Sequence, residues 1–266
     1  MEGLYFESSA TTPFHFLNQS VLSENPSRAQ RDLPYRGFDI NTGIAQLRVM
    51  GVRYYMAQTD SAIAAARTRN DLVEVATSQP WVIFEITDNQ LVEGLDTMPV
   101  VASGPAGMGE LAGRFETGWV SQAVAFYNQP QNFEAIPAED GPDDWDRVDV
   151  LLPSDGEAVS TPAVVSDIVV ENDRISFSVD QIGVPVLVKA SYFPNWKASG
   201  ADGPYRAGPN LMVVVPTDTE VEVHYGRTLI DMLGYALTFL GLVGLAGLVV
   251  ADHRRRNDST DPGAPD

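Results

Sequence analysis

LIDMLGYALTFLGLVGLAGLVV, Leu229 to Val250, is the stretch on which the architecture of this chain turns. It carries no charged residue from Leu233 to Val250, and a helix that crosses a bilayer needs about 20 predominantly apolar residues. A helix at the edge of a soluble core keeps a polar face. This one has none, so the sequence predicts a transmembrane helix over residues 228–251. His253, Arg254, Arg255 and Arg256 follow at once, whereas only Arg227 lies close on the other side. Lys and Arg collect on the cytoplasmic side of a span, which puts the tail, residues 252–266, in the cytoplasm as a disordered end and residues 1 to about 227 outside it. Gly234, Thr238 and Gly241 fall at i, i+4 and i+7, a stripe of small residues suited to close packing against other membrane helices.

That orientation requires export of the bulk of the chain. The opening, MEGLYFESSATTPFHF, has neither the basic start nor the apolar core of a signal peptide. Gly3 to Ser8 looks like the scar of a protease tag, but Gly3 and Glu7 stand where such a tag carries amides. The expectation is therefore that membrane helices precede Met1. The opening residues then continue an extracytoplasmic segment, with Glu2 near the membrane surface.

The 266 residues are 44% apolar, ample for a core, with a formal charge of -19 and a pI near 4.3. Phosphate recognition needs clustered Lys and Arg. Only Lys189 and Lys197 are lysines, and a nucleic-acid partner is excluded. The absence of Cys removes disulfides, thiolate metal sites and a cysteine nucleophile. His15, His224 and His253 cannot form a three-histidine metal site, because His253 lies beyond the apolar span. No metal or cofactor is expected in this chain.

The rest reads as an α+β protein: a mixed α/β segment over residues 1–150, then an antiparallel β-sandwich module over 151–227. In RISFSVD, Ile175, Phe177 and Val179 alternate with Arg174, Ser176, Ser178 and Asp180, the period of a half-buried strand. Val186, Val188 and Ala190 share a face in VPVLVKA, as do Val221, Val223 and Tyr225 in EVEVHYG. VVSDIVV (164–170) and LMVVV (211–215) complete five strands, with Asn172-Asp173 as a hairpin turn. Earlier, VRYYMA, DLVEVAT and WVIFEIT read as strands, with a helix in SAIAAART capped by Thr59 or Asp60. Trp119, Ala123, Phe126 and Tyr127 align on one face of a further helix. Gly, Pro and acidic residues predict loops or a boundary over 97–113 and 128–162.

Asp143 to Asp146, DDWD, has the Asp-x-Asp form that can hold a divalent cation. Its setting, after Gly141-Pro142 and before VDVLLP, reads instead as an acidic, solvated loop. Ser8 and His15 lack any nucleophile-elbow pattern, so no triad is assigned. Asn18-Gln19-Ser20 has the form of a glycosylation acceptor and carries no weight without a eukaryotic secretory route. SYFPNWKASGADGPYRAGPNLMVVVP (191–216) is more informative. Tyr192, Phe193, Trp196 and Tyr205, interleaved with Lys197, Arg206 and Asn210, have the makings of an aromatic and hydrogen-bonding platform for a sugar. Aromatics at strand ends that close the sandwich core are the more frequent occurrence. Candidate ligand-binding residues are Tyr192, Trp196, Lys197, Tyr205, Arg206 and Asn210; catalytic residues are unknown.

YFPNWKASGADGPYRAGPNLMVVVP, followed by VEVHYG and then by a membrane helix, resembles the C-terminal end of the YfhO-like bacterial polytopic membrane proteins. MEGLYFESSATTPFHFLNQS, GVRYYMA and the WVIFEI strand also resemble stretches of their extracytoplasmic region. That group is similar to GT-C glycosyltransferases. The resemblance implies many helices, a polyprenyl-phosphate-linked sugar donor and a role in building cell-envelope polysaccharide or glycolipid at the bacterial cell membrane. In such enzymes the catalytic carboxylate follows the first membrane helix, which this chain does not contain. No catalytic residue is carried over, and any divalent metal belongs to the part preceding Met1. The implied role is to shape the acceptor side or bind the growing glycan, with the bilayer, the parent protein's other helices and a lipid-linked sugar or envelope glycan as partners. The alternative is a singly anchored, non-catalytic glycan-binding or structural module.

Overall fold

The computed structural model describes residues 10–105 and 117–258. Gly3 to Ser8, Glu2, residues 106–113 of the expected 97–113 loop and the last eight residues of the tail lie outside the described residues. The chain divides into two compact units, Met1–His224 and Tyr225–Asp266.

The first unit opens with α1 (Thr12–Leu22), with Pro13 in its first turn, and α2 (Ile40–Val49), whose cap Asp39 accepts from the Asn41 and Thr42 amides. A three-stranded antiparallel sheet follows, of β1 (Tyr54–Ala57), β2 (Leu72–Ser78) and β3 (Trp81–Ile86) in the order β1-β3-β2. Between β1 and β2 runs α3 (Asp60–Arg67), and its cap is Thr59, whose hydroxyl accepts from the Ala62 amide. Ile44, Ala62, Ala66, Tyr55, Phe84 and Ile86 enclose a small core here.

The centre of the unit is a seven-stranded sheet. It comprises β4 (Val92–Gly94), β5 (Val100–Ala102), β6 (Pro137–Ala138), β7 (Arg147–Val148), β10 (Val186–Val188), β12 (Ala201–Ala207) and β13 (Leu211–Pro216) in the order β4-β10-β13-β12-β6-β5-β7. Helix α4 (Gly118–Asn128) buries Trp119, Ala123, Phe126 and Tyr127, the face read from the sequence. A four-stranded sheet, β11-β14-β9-β8, is built from β8 (Val165–Val170), β9 (Arg174–Val179), β11 (Trp196–Ser199) and β14 (Glu220–Tyr225). The turn at Asn172-Asp173 joins β8 to β9, with Val170 opposite Ile175.

These parts form three layers, because the large sheet is covered on both faces. Leu187, Leu211 and Val213 pack with Phe14 and Leu17 of α1 and with Trp119 and Phe126 of α4. Their sequence neighbours Val186, Val188, Met212 and Val214 pack against Ile175, Phe177, Val179, Val221 and Val223 of the smaller sheet. A strand buried on both faces reads as a continuous apolar run, which is why VPVLV and LMVVV do not alternate, whereas β9 and β14 do.

Three expectations are corrected. Strands from both sides of residue 150 share the large sheet, so the expected module boundary is crossed by hydrogen bonds such as the β4–β10 ladder, Val186 opposite Gly94. The stretches expected to be loops contain β5, β6 and β7, short strands sustained by neighbours rather than by their own composition; β5 pairs with β6 and β7 in parallel. Tyr225, expected to share the buried face of Val221 and Val223, ends β14 and is 46% exposed.

The second unit is one helix, α5 (Leu229–Asp258). Thr228 caps it reciprocally: its hydroxyl donates to Asp231 Oδ2 at 2.8 Å and accepts from the Asp231 amide. Residues Leu229–His253 are long and apolar enough to cross a membrane, and none of that apolar window is buried. Within it the Thr238 hydroxyl donates to the Gly234 carbonyl at 2.8 Å, satisfying its polar group inside the helix.

Candidate functional site

The six residues singled out from the sequence separate into three places. Tyr192, Arg206 and Asn210 come together. The Tyr192 amide donates to the Asn210 carbonyl at 2.8 Å, Arg206 Nε donates to Asn210 Oδ1 at 2.8 Å, and Asn210 Nδ2 donates to Thr11 Oγ1 at 3.2 Å. The Arg206 guanidinium also lies 4.4 Å from the Trp119 ring centre and reaches Glu139 at 3.3 Å. A cation between an aromatic face and a carboxylate has its bonding capacity used internally. Tyr205 instead stands 5.4 Å from the Trp145 ring. Trp196 packs, with Tyr192, on the core between the sheets, and Lys197 is exposed on β11, which ends the smaller sheet. The aromatics thus close cores, while Asn210, just before β13, ties to Thr11 at the start of α1.

Trp145 explains DDWD. It is buried against Tyr205 while Asp143, Asp144 and Asp146 face solvent, and among the described residues no group of His, Asp and Glu is arranged to hold a metal ion. Of the Ser8/His15 pair, Ser8 lies outside the described residues. Asn18 donates its amide to the Gly43 carbonyl and to Gln46 Oε1, both at 3.1 Å, so the sequon asparagine ties α1 to α2.

A cleft of about 330 Å3, which no sequence motif announces, lies between the end of α2, the loop before β4, β10 and the segment after α4. At its base is Lys189, one residue beyond β10 and on the same side as Leu187. Its side chain is 3% exposed, and Nζ donates to Glu93 Oε2 at 2.8 Å and to Asn89 Oδ1 at 3.1 Å. Burial holds the Lys189 ammonium below the ordinary lysine range, with the Glu93 carboxylate opposing that shift. The third N–H of the ammonium has no acceptor among the described residues.

The local chain is built around this lysine. Gly51, at φ +66, lies where a Cβ would sit 2.9 Å from Lys189 Cβ, so only glycine lets the turn after α2 close on the stem. Asp88 adopts φ +53, and its carbonyl accepts from Arg48 at 3.3 Å. Asn89 Nδ2 donates to the Val52 carbonyl at 2.7 Å, which fixes its oxygen toward Lys189. Phe126 and Phe133, ring centres 5.7 Å apart, contribute apolar wall. The only available sequence signal was a lysine interrupting an apolar strand in a chain with two lysines.

No family model matches this chain, and no curated protein or solved structure matches it either.

Proposed function

We propose that this chain is the C-terminal portion of a polytopic membrane protein of glycosyltransferase type, acting in assembly of a bacterial cell-envelope glycan or glycolipid. Its folded unit stands outside the cytoplasm and binds glycan without carrying out the transfer. Supporting the membrane part of this reading is one observation: a helix, Leu229–His253, apolar and unburied throughout its apolar window. Such a surface is satisfied by lipid or by other membrane helices. Arg254 to Arg256 support a cytoplasmic C-terminus by the charge rule, and the resemblance of residues 192–216 to the YfhO-like group supports the glycosyltransferase setting.

A second reading, an anchored structural module, is favoured by the internal use of Arg206 and Asn210 within the expected sugar platform.

The chain has no cysteine, so single introduced cysteines report sidedness cleanly. Ser199→Cys is expected to react with a membrane-impermeant maleimide on intact cells, and Asp261→Cys only after permeabilisation. The opposite pattern removes the extracytoplasmic assignment. The coding sequence directly upstream of the Met1 codon tests the polytopic part: an open frame encoding further apolar segments supports it, and an in-frame stop overturns it.

A further inference from the structure

We propose that the Lys189 cleft is the sugar-binding site of the folded unit, taking one neutral, hydroxyl-bearing sugar ring. This rests on the glycan-binding reading above and assigns it to residues other than the expected platform. Three observations carry it. First, the site is built: Lys189 is held at Nζ by Glu93 and Asn89, on a stem that Gly51 closes over. Second, it retains hydrogen-bonding capacity of both kinds, with the third Lys189 N–H as donor, and Glu93 Oε1 and the exposed Glu134 carboxylate on the lining as acceptors. A sugar hydroxyl donates and accepts at once, so it suits a site offering both. Third, Phe126 and Phe133 give the apolar wall against which the C–H face of a pyranose rests.

Charge selects within the sugars. Asp88, Glu93, Asp96 and Glu134 on the lining outnumber Arg48 and Lys189. An anionic ring, a uronate or a sugar phosphate, meets net repulsion there, whereas a neutral hexose does not. The volume, about 330 Å3, is at the small end of ligand pockets, which run from about 300 to 1,000 Å3. It fits one residue of a glycan and not an extended chain.

The test is saturation-transfer NMR on the full chain in phosphatidylcholine nanodiscs, which avoid sugar-headed detergents. The probes are the methyl glycosides of glucose, galactose and mannose, with methyl glucuronide for charge. At least one neutral glycoside is expected to bind, and more tightly than the glucuronide. Loss of a hydrogen bond to a charged group corresponds to about tenfold or more in Kd, and that weakening is expected for Lys189→Met and for Glu134→Ala. Glu134 makes no ion pair among the described residues, so its variant stays interpretable if Lys189→Met does not fold. Trp196→Ala is expected to bind as the parent does. Binding that survives both cleft substitutions but falls in Trp196→Ala overturns this assignment and leaves the glycan reading standing. Tighter glucuronide binding overturns the neutral-ring specificity, and no binding by any glycoside overturns the cleft assignment and the glycan reading together.

Discussion

Gly94→Ala probes the joint between the two sheets of the sandwich. Gly94 ends β4 at one edge of the large sheet, and a Cβ built there lies 2.2 Å from the Ala163 carbonyl oxygen and 2.8 Å from the Ala163 nitrogen. Those are main-chain atoms of a buried residue that packs in the core between the sheets and leads into β8. They cannot rotate away as a side chain would, so relief requires the sheet edge and the Ala163 strand to move apart. Overpacking of this kind costs about 1–3 kcal/mol. In a unit of this size each kcal/mol lowers Tm by about 2–4 °C, which gives a fall of about 2–12 °C. Thermal unfolding followed by circular dichroism at strand wavelengths measures it. Gly37→Ala, where a Cβ meets nothing within 4 Å, is the control and is expected to melt with the parent. A Gly94→Ala protein that also melts with the parent would refute the close approach of the two sheets at this point.

Gln46 is fully buried and joins three helices, donating to the Tyr127 carbonyl at 2.8 Å and accepting from Asn18 at 3.1 Å. Gln46→Leu strands both partners, and urea unfolding is expected to show a loss of about 1–3 kcal/mol. Lys189 has a folded-state pKa below its ordinary 10.5, so the unfolded chain binds more protons between the two values. Its contribution to stability is present above pH 10.5 and is lost as pH falls through the lowered pKa. The stability difference between Lys189→Met and the parent should therefore shift in the parent's favour as pH rises through that window; a difference flat with pH would count against the buried ammonium. In α5, Leu240→Arg places a charge near the middle of the apolar run, at a cost of about 2.5–3.5 kcal/mol for insertion. An insertion assay on that helix should show the inserted fraction fall sharply, and unchanged insertion would contradict a spanning role.

Legibility from the sequence followed the number of faces a segment buries. Ile175, Phe177 and Val179 announce β9 because one face of that strand meets solvent, and Thr59 announces α3 because a cap acts locally. Leu187 and Leu211 hid their roles, since burial on both faces erases the alternation that distinguishes one core from another. Val100 to Ala102 and Pro137-Ala138 are too short to carry a period and exist as strands only through their neighbours. Strand β12 runs through Gly203 and Pro204 with a register shift between Asp202 and Tyr205, where the local composition reads as a turn. The residues of 191–216 were legible as unusual but not as to use. Arg206 finds Trp119 and Glu139 only through the fold. The cleft was least legible, because Lys189, Asn89, Glu93 and Gly51 converge from separate segments and none carries a motif alone.

The pairing of β4 with β10, Gly94 against Val186, sets an order of events during synthesis. The three-stranded sheet closes on its own core by Ile86, but α1 and β4 must wait for β10, β12 and β13, the last of which ends at Pro216. At the usual 5–20 residues per second, that interval lasts on the order of ten seconds. For that time Phe14, Leu17 and Val92 have no sheet to cover them, and the nascent chain depends on whatever holds it unfolded. Because β14 and α5 emerge directly after Pro216, the central sheet becomes complete only as the apolar helix itself is being made.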